Sequence, residues 1–314
     1  MNSRKRGGRG TVGQIGLGIM GGAFAKHLLA AGFRVTGYDI APSRMRELRR
    51  RGGQTAFSCA EVARRCRILI TSLPSPLAFE QAFFGREGIA AGARKGGIVI
   101  ETSTLPIELK ERCRARLARR GVTLLDCPVS GTGAQAAAKD IAVYASGSRA
   151  AFDRCRRVFD GFARATYYCG AFGTGSKLKF VANLLVTIHN LSAAEAMVMG
   201  EKAGLDLGLL YRVIRDGAGS SRMFEVRGPM MVAGRYEPPH MKTEIYQKDI
   251  AIIRSFARRL KCPTPLFDAS IPFYAAALRR GWAAQDTAVI HAVLRQRAGL
   301  RGRGRRRTPR RKGD

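Results

Sequence analysis

A lysine and an asparagine in one apolar segment have the types and the spacing for acid-base chemistry. Gly175, Lys179 and Asn183 follow one another at intervals of four residues. If a helix begins near Ser176, the lysine amine and the asparagine amide lie one turn apart on the same helix face. The positive end of the helix dipole at that terminus would lower the lysine pKa. A lysine of that kind can take up and return a proton near neutral pH, so Lys179 and Asn183 are the candidate catalytic pair.

A second motif, near the N-terminus, could bind phosphate groups. Gly16-Leu17-Gly18-Ile19-Met20-Gly21 follows a β-branched run at residues 11 to 15 and precedes a helix-like segment at residues 23 to 31. The first glycine permits a tight turn, the second lets the backbone approach a pyrophosphate, and the third allows close packing of helix on strand. The helix N-terminus also attracts negative charge. These six residues are therefore predicted to bind a dinucleotide.

The kind of dinucleotide depends on Asp39, which ends the second predicted strand 18 residues after Gly21. A carboxylate at this place accepts hydrogen bonds from the adenosine ribose and repels a 2′-phosphate. Asp39 therefore favours NAD over NADP, although Arg44 nearby leaves NADP possible. The alternative is that Asp39 serves only as a turn or helix-cap residue.

Two later strand ends should reach the same crevice, because ligands of open parallel sheets bind at the carboxyl ends of the strands. They are residues 72 to 74 and 102 to 104, and a third segment, residues 126 to 133, follows the end of another strand. The glycines and hydroxyl groups of the third segment could offer hydrogen-bond donors to a substrate carboxylate. The alternative for that segment is an ordinary glycine-containing loop between domains.

Short β-branched runs alternate with helix-like segments over the first half of the chain. The runs cover residues 11–15, 34–38, 67–72, 97–101, 122–126 and 141–145, with helical patterns at 23–31, 43–51 and 107–120. This alternation predicts an α/β fold with a Rossmann-type, doubly wound parallel sheet. One long helix from 176 to about 203 should lead into an all-α domain with helices near 207–215, 243–260, 264–279 and 285–297.

The chain is therefore expected to have four parts. These are a basic flexible N-terminus at 1–10, a dinucleotide-binding domain at 11–174, an all-α domain at 175–298 and a disordered basic tail at 299–314. The tail has almost no apolar side chains whose burial could offset the entropy lost on ordering.

The chain is strongly basic, with 55 Lys plus Arg against 23 Asp plus Glu and a formal net charge of +32 over 314 residues. Such a charge attracts small anions and could also hold nucleic acid or acidic membrane without specificity. It also fits a chain in which arginine simply fills ordinary surface positions. A cofactor-binding scaffold that binds nucleic acid through its basic ends is thus an alternative function of a different class, although no recognisable binding module supports it.

The seven cysteines form no CxxC pair, and the four histidines have no metal-ligand spacing. This pattern favours reduced thiols in a cytoplasmic protein and no metal site. The basic start followed by an apolar run imitates a secretory signal, but the spacing of Gly16, Gly18 and Gly21 favours the nucleotide-binding interpretation. No run of 18 apolar residues occurs, so no membrane span is expected.

The motifs occur in the order found in one enzyme family. The chain resembles the β-hydroxyacid dehydrogenases of the 6-phosphogluconate dehydrogenase superfamily, a group that includes 3-hydroxyisobutyrate dehydrogenase. The resemblance covers roughly residues 11 to 298 and rests on the six-residue glycine motif, Leu73-Pro74, Ser103-Thr104, the segments 126–131 and 173–183, and Lys248-Asp249.

The resemblance implies a role for each matching residue. Lys179 would be the catalytic lysine and Asn183 its helix partner, with Leu73, Pro74 and Thr104 near the cofactor. Lys248 would close over cofactor or substrate from the α domain. Ser130 and Gly131, with Thr132 beside them, would hold the substrate carboxylate. The resemblance further implies oxidation of a short β-hydroxy acid with NAD, or with NADP, by a homodimer or homotetramer assembled through the all-α domain.

Three residues depart from the family pattern. Thr132 replaces the second glycine of the usual Ser-Gly-Gly, Ala182 replaces the first of two asparagines, and Lys139 replaces a customary glycine. The first and third changes lie where substrate selectivity is set, and they resemble the subset that acts on polyhydroxy acids such as threonate. An NADP-dependent semialdehyde or glyoxylate reductase is the alternative within the same class of enzymes.

Overall fold

The computed structural model describes residues 10–300 of the chain. The predicted basic tail and nearly all of the predicted N-terminal extension lie outside the described residues. The described part divides into two compact units. The first runs up to Leu184 and includes Lys248–Cys262, and the second comprises Leu185–Gln247 and the described residues from Pro263 onward.

The first unit is formed around a parallel sheet of six strands in the order β3-β2-β1-β4-β5-β6. The strands are β1 Thr11–Ile15, β2 Arg34–Tyr38, β3 Gln54–Thr55, β4 Ile68–Thr71, β5 Ile98–Glu101 and β6 Thr123–Asp126. All neighbouring pairs are parallel. The strand order reverses between β1 and β4, which places a crevice at the carboxyl ends of these strands. The predicted doubly wound sheet is confirmed.

Helices cover both faces of this sheet and pack on it to form two separate apolar cores. The helices of this unit are α1 Ile19–Ala30, α2 Pro42–Arg50, α3 Cys59–Arg65, α4 Pro76–Phe84, α5 Ile89–Gly92, α6 Ile107–Ala118, α7 Gly133–Ala137 and α8 Arg149–Phe162. One core contains Phe24 and Phe162, whose ring centroids lie 4.6 Å apart. The other contains Phe79 and Phe83 at 4.3 Å. Burial of these aromatic side chains is a main source of stability for the unit.

A second, smaller sheet follows β6. Its strands are β7 Val129–Ser130, β8 Ala142–Ala145 and β9 Ala165–Tyr168, with β7 antiparallel and β9 parallel to β8. The prediction counted the run at 141–145 among the strands of the parallel sheet, and the structure corrects this. An antiparallel bridge joins Asp126 to Ser146, so the chain at the end of β8 runs opposite to β6 and cannot extend the parallel sheet.

Two long helices contribute residues to both units. They are α9 Thr174–Lys202 and α12 Thr243–Arg259. The N-terminal part of α9 and the C-terminal part of α12 belong to the first unit, where Phe180 and Phe256 make an edge-to-face contact at 5.2 Å. By length and composition α9 is also the one helix within residues 10–300 that could cross a membrane, and 44% of its most apolar window is buried within the fold.

The described elements of the second unit are helical, as predicted. Besides parts of α9 and α12 they are α10 Leu207–Asp216, α11 Arg222–Ala233, α13 Pro265–Arg279, a 3-10 turn Thr287–Val289 and α14 Ile290–Arg297. Its interior contains paired polar groups. The Asn190 amide donates to the Tyr274 hydroxyl at 3.0 Å, and buried Arg227 lies 3.3 Å from Asp286. Partners of this kind offset the cost of burying polar side chains.

Candidate active site

The glycine motif forms the turn between β1 and α1, and glycine is needed at each of its three positions for a different reason. Gly16 has a φ of +81°, and a Cβ there would lie 2.2 Å from the Ser72 carbonyl oxygen. A Cβ on Gly21 would lie 1.9 Å from the carbonyl oxygen of Gly16. These two glycines are therefore required by the fold itself.

Gly18 is different, because a Cβ at this position would meet no protein atom within 4 Å. Gly18 is the N-cap of α1, which has no side-chain cap and no acidic residue in its first turn. The positive end of α1 and the open space above Gly18 fit the pyrophosphate of a dinucleotide. When bound, such a cofactor supplies the nicotinamide carbon that accepts or returns a hydride.

Asp39 lies at the end of β2, half-buried, and its carboxylate braces the glycine turn. Its Oδ2 accepts a hydrogen bond from the Leu17 amide at 2.6 Å, and its Oδ1 accepts one from the Ala41 amide at 2.8 Å. Both oxygens keep further lone pairs, so this bracing leaves room for a ribose hydroxyl. The structure thus gives Asp39 the turn-stabilising role that the sequence left as an alternative, and the ribose contact stays a prediction.

The ends of β4 and β5 are tied together beside the glycine turn. The Leu73 amide donates to the Ser103 hydroxyl at 2.8 Å, and the Ser103 amide donates to Glu101 at 2.9 Å. Leu73 and Thr104, the predicted cofactor neighbours, are thereby held at the carboxyl ends of adjacent strands. Pro74 follows Leu73 on the surface.

The predicted carboxylate clamp begins in β7 and continues into a turn. Half-buried Ser130 pairs with Ala142 of β8, and Gly131 adopts a φ of +141°. Thr132, however, caps α7: its amide donates to the Gln135 side chain at 2.9 Å, and its hydroxyl oxygen accepts from the Gln135 amide at 3.3 Å. The Thr132 amide is therefore already bonded, which leaves the Ser130 hydroxyl and the Gly131 amide as the more accessible donors.

Lys179 is half-buried in α9, and burial lowers its pKa from 10.5 to about 8. The charge of Lys248 acts in the same direction, and that of Asp249 opposes both. Because α9 begins at Thr174, Lys179 lies in the second turn rather than near the first, where the helix dipole acts most strongly. The lowered pKa of Lys179 agrees with the prediction, and burial contributes most to it.

Lys248 and Asp249 hold α12 against the site residues of the first unit. The Lys248 ammonium donates to the Thr104 carbonyl oxygen at 2.5 Å and to Asp249 at 2.6 Å. Asp249 also accepts a hydrogen bond from the Asn183 amide at 3.0 Å. The segment that begins with Lys248 belongs to the first unit, and the expectation that Lys248 closes over cofactor or substrate stays a prediction.

The lysines of this region thus differ in their availability. Lys248 is paired, whereas within residues 10–300 Lys179 has neither a hydrogen bond nor an ion pair. A half-buried amine of lowered pKa without a protein partner is available to a bound ligand. This difference could not be derived from residue types.

Two buried residues of this region were missed as site components. Asp249 belonged to a recognised motif without being assigned a role, and Lys110 of α6 was not singled out. Lys110 is fully buried and bonds Asp126 at 2.8 Å. The sequence pattern does indicate that Lys110 is buried, because Lys110 shares a helical stripe with the buried Cys113 and Leu117 at intervals of three and four residues.

Comparison with known proteins agrees with this geometry. Residues 11–170 match the family model of the NAD binding domain of 6-phosphogluconate dehydrogenase, and residues 173–294 match that of NADP-dependent 3-hydroxyisobutyrate dehydrogenase. The chain is 36% identical to L-threonate dehydrogenase of Cupriavidus necator over 90% of this chain and 95% of that protein.

Solved structures show the same similarity. A crystal structure of 3-hydroxyisobutyrate dehydrogenase from Salmonella typhimurium is 32% identical with a TM-score of 0.83, covering 90% of this chain and 99% of that one. A structure of Psf3 in complex with NADP+ and 2-OPP is 26% identical with a TM-score of 0.84 over the same shares.

The chain is an NAD(P)-dependent oxidoreductase by its fold and its matching domains. It belongs to the β-hydroxyacid dehydrogenase family, whose members act on hydroxy acids.

Proposed function

We propose that this enzyme oxidises a short polyhydroxy acid of the threonate type, with Lys179 as the general acid-base group. The observation that carries the proposal is the half-buried Lys179 amine, with a pKa of about 8 and no protein partner within residues 10–300. An amine that titrates near the working pH can serve as base in one direction and acid in the other.

In the oxidation direction, neutral Lys179 takes the proton of the substrate hydroxyl while the adjacent carbon gives up a hydride. In the reverse direction, the protonated amine returns that proton to the carbonyl oxygen. Asn183 orients the reacting groups from the next turn of α9, and Asp249 holds the Asn183 amide in place at 3.0 Å. Acid-base assistance of this kind contributes roughly 10²- to 10⁴-fold to rate.

The substrate carboxylate is assigned to the Ser130 hydroxyl and the Gly131 amide. An anionic substrate also suits a chain with a formal net charge of +32. The threonate-type substrate is supported by the 36% identical relative named L-threonate dehydrogenase and by Thr132 at the clamp.

The test is reduced-nicotinamide absorbance across a substrate panel of threonate, glycerate, 3-hydroxyisobutyrate, 4-hydroxybutyrate and tartronate semialdehyde. We expect the highest kcat/KM with threonate or a closely related polyhydroxy acid. The Lys179→Ala variant should lose about 10²-fold or more in turnover while it still binds the cofactor. Retained turnover in that variant would overturn the assignment of Lys179.

NAD is the expected cofactor because of the Asp39 carboxylate, which would repel a 2′-phosphate. An NADP-dependent reductase is the second candidate, and the relative that was solved with NADP+ favours it. Titration of the purified protein with NADH and NADPH decides between them. Tighter NADPH binding would replace the first assignment with the second.

We further infer a cytoplasmic homodimer or homotetramer. Seven free cysteines, five of them buried, suit a reducing compartment. Several large apolar side chains of α9 and α10 are exposed in the single chain: Leu178, Val181, Leu185, Met199, Leu209 and Val213. Contact between copies would cover such a surface. Sedimentation velocity tests this inference, and a monomer at micromolar concentration would contradict it.

A further inference from the structure

Lys110 is a fully buried lysine whose ammonium group lies between two carboxylate side chains. Its Nζ forms ion pairs with Glu101 at 2.6 Å and with Asp126 at 2.8 Å, and all three side chains have no exposed surface. Burial alone would lower the pKa of Lys110, but Asp126 and Glu101 outweigh it and raise that pKa. The ammonium is therefore charged, and removal of its partners would be costly.

The same ammonium also contacts two further residues. It donates to the Ser103 carbonyl oxygen at 2.7 Å and to the Ser176 hydroxyl at 3.3 Å. One atom thus joins the ends of β5 and β6 to the start of α9. Shortly beyond these contacts along the chain come Thr104, Ser130 and Lys179, three residues of the candidate active site.

Asp126 completes the attachment of α9. Its Oδ2 accepts the Ser176 amide at 2.8 Å, and its Oδ1 accepts the Ser176 hydroxyl at 2.7 Å. The preceding Gly175 amide donates to Ser146 at 3.0 Å, and a Cβ on Gly175 would lie 2.2 Å from the Tyr144 carbonyl oxygen. These close contacts fix both the rotation and the depth of the helix that carries Lys179.

We propose that Lys110 is a positioning residue for the reaction, which holds the segments of Thr104, Ser130 and Lys179 in their working arrangement. The proposal rests on the proposed role of Lys179. A residue that only stabilised the fold would change the amount of folded protein and leave the titration of Lys179 unaltered. Loss of a positioning contact lets Lys179 reach more solvent, so its pKa rises from about 8 toward its ordinary value.

The experiment separates charge compensation from positioning with two variants. Lys110→Met leaves two buried carboxylates without a cation and should lose much of its thermal stability. Lys110→Met combined with Glu101→Gln leaves Asp126 with its Ser176 contacts and keeps the net charge of the cluster. We expect this double variant to regain stability but to show a turnover about 10-fold lower at pH 7, with the pH midpoint of oxidation shifted upward.

A double variant with natural stability, natural turnover and a natural pH midpoint would overturn the proposal. Should it fail to fold, Ser176→Ala decides, because this variant removes only the hydroxyl contact with Lys110 and Asp126. An upward shift of its pH midpoint supports the proposal, and an unchanged midpoint overturns it.

Phe83→Leu is the matched control. It removes buried apolar contacts in the core that contains Phe79 and loses stability without touching the cluster. Its pH midpoint should equal that of the natural protein. Failure of the proposed function has a different signature, since Lys179→Ala would then keep turnover and the natural pH profile.

Discussion

The Asn183 side-chain amide donates a hydrogen bond to Asp249 Oδ2 at 3.0 Å, so a residue of α9 is held by a buried carboxylate of α12. Asp249 is also paired with Lys248 at 2.6 Å. Its negative charge raises the pKa of Lys179, whereas burial and the charge of Lys248 lower it. The titration of Lys179 is therefore a balance that single substitutions can shift in a stated direction.

Asp249→Asn should shift the pH dependence of oxidation to lower pH. The substitution removes the charge that raises the pKa of Lys179 and keeps an oxygen that can accept from Asn183. Since the neutral Lys179 amine is the proposed base, activity should then appear at a lower pH than in the natural enzyme. The measurement is kcat/KM against pH. Asp153→Asn, which alters a surface carboxylate paired with Arg149 and Arg156, is the control and should leave the profile in place.

Lys179→Met should stabilise the protein at neutral pH while it abolishes activity. The pKa of Lys179 is about 8 in the folded state and 10.5 by its ordinary value, so the unfolded chain binds more protons between these values. The contribution of Lys179 to the free energy of unfolding therefore rises as pH increases from 8 to 10.5. Below pH 8 the protonated lysine destabilises the folded protein.

The gain from Lys179→Met should thus be largest below pH 8, at most about 2 kcal/mol for a half-buried side chain, and should shrink toward pH 10.5. Urea unfolding at several pH values measures it. A gain that grew with pH would contradict the sign of this argument.

Gly18→Ala should weaken cofactor binding with little loss of stability. A Cβ at this position meets no protein atom within 4 Å, but it enters the space assigned to the pyrophosphate. We expect about a 10-fold or larger increase in the cofactor Kd. Gly21→Ala is the contrasting variant, because its Cβ would lie 1.9 Å from the Gly16 carbonyl oxygen and must strain the fold. Equal thermal stability of the two variants would argue against this distinction.

Lys139→Gly should raise thermal stability. Lys139 has a φ of +62°, which glycine adopts at lower cost than a residue with a side chain. We expect a gain of about 0.5 to 1 kcal/mol in the free energy of unfolding. Lys261→Gly, at a φ of +52°, should behave likewise. Arg46→Gly, in the exposed part of α2, should have the opposite sign and lose about 1 kcal/mol.

The glycine turn and the parallel sheet were predictable because local patterns specify them. Three glycines follow a buried strand, two of them required sterically by the fold and one beside the space assigned to the cofactor. The runs at 11–15 and 34–38 match β1 and β2 as observed. The strands β3 and β7 have two residues each, too few for any periodicity to be seen. Helix α8 carries a regular apolar stripe of the kind that indicates a helix, so it too was predictable from local pattern.

The candidate site was only partly predictable for a physical reason. Lys179 and Asn183 stand four apart on one helix, so their relation follows from helix geometry alone. The capping role of Thr132 depends on Gln135 three residues later, and this local pattern could have been recognised. The pairing of Lys110 with Asp126 joins different elements and follows only from the packed fold.

The amino-acid sequence by itself determined the family, the glycine turn and the candidate for the acid-base lysine, because these depend on neighbours along the chain. Tertiary structure alone decided which lysines are paired and which amine is available. Burial and charge pairing arise between segments that are distant in sequence, and they set both the protonation of Lys179 and the placement of the helix that carries it.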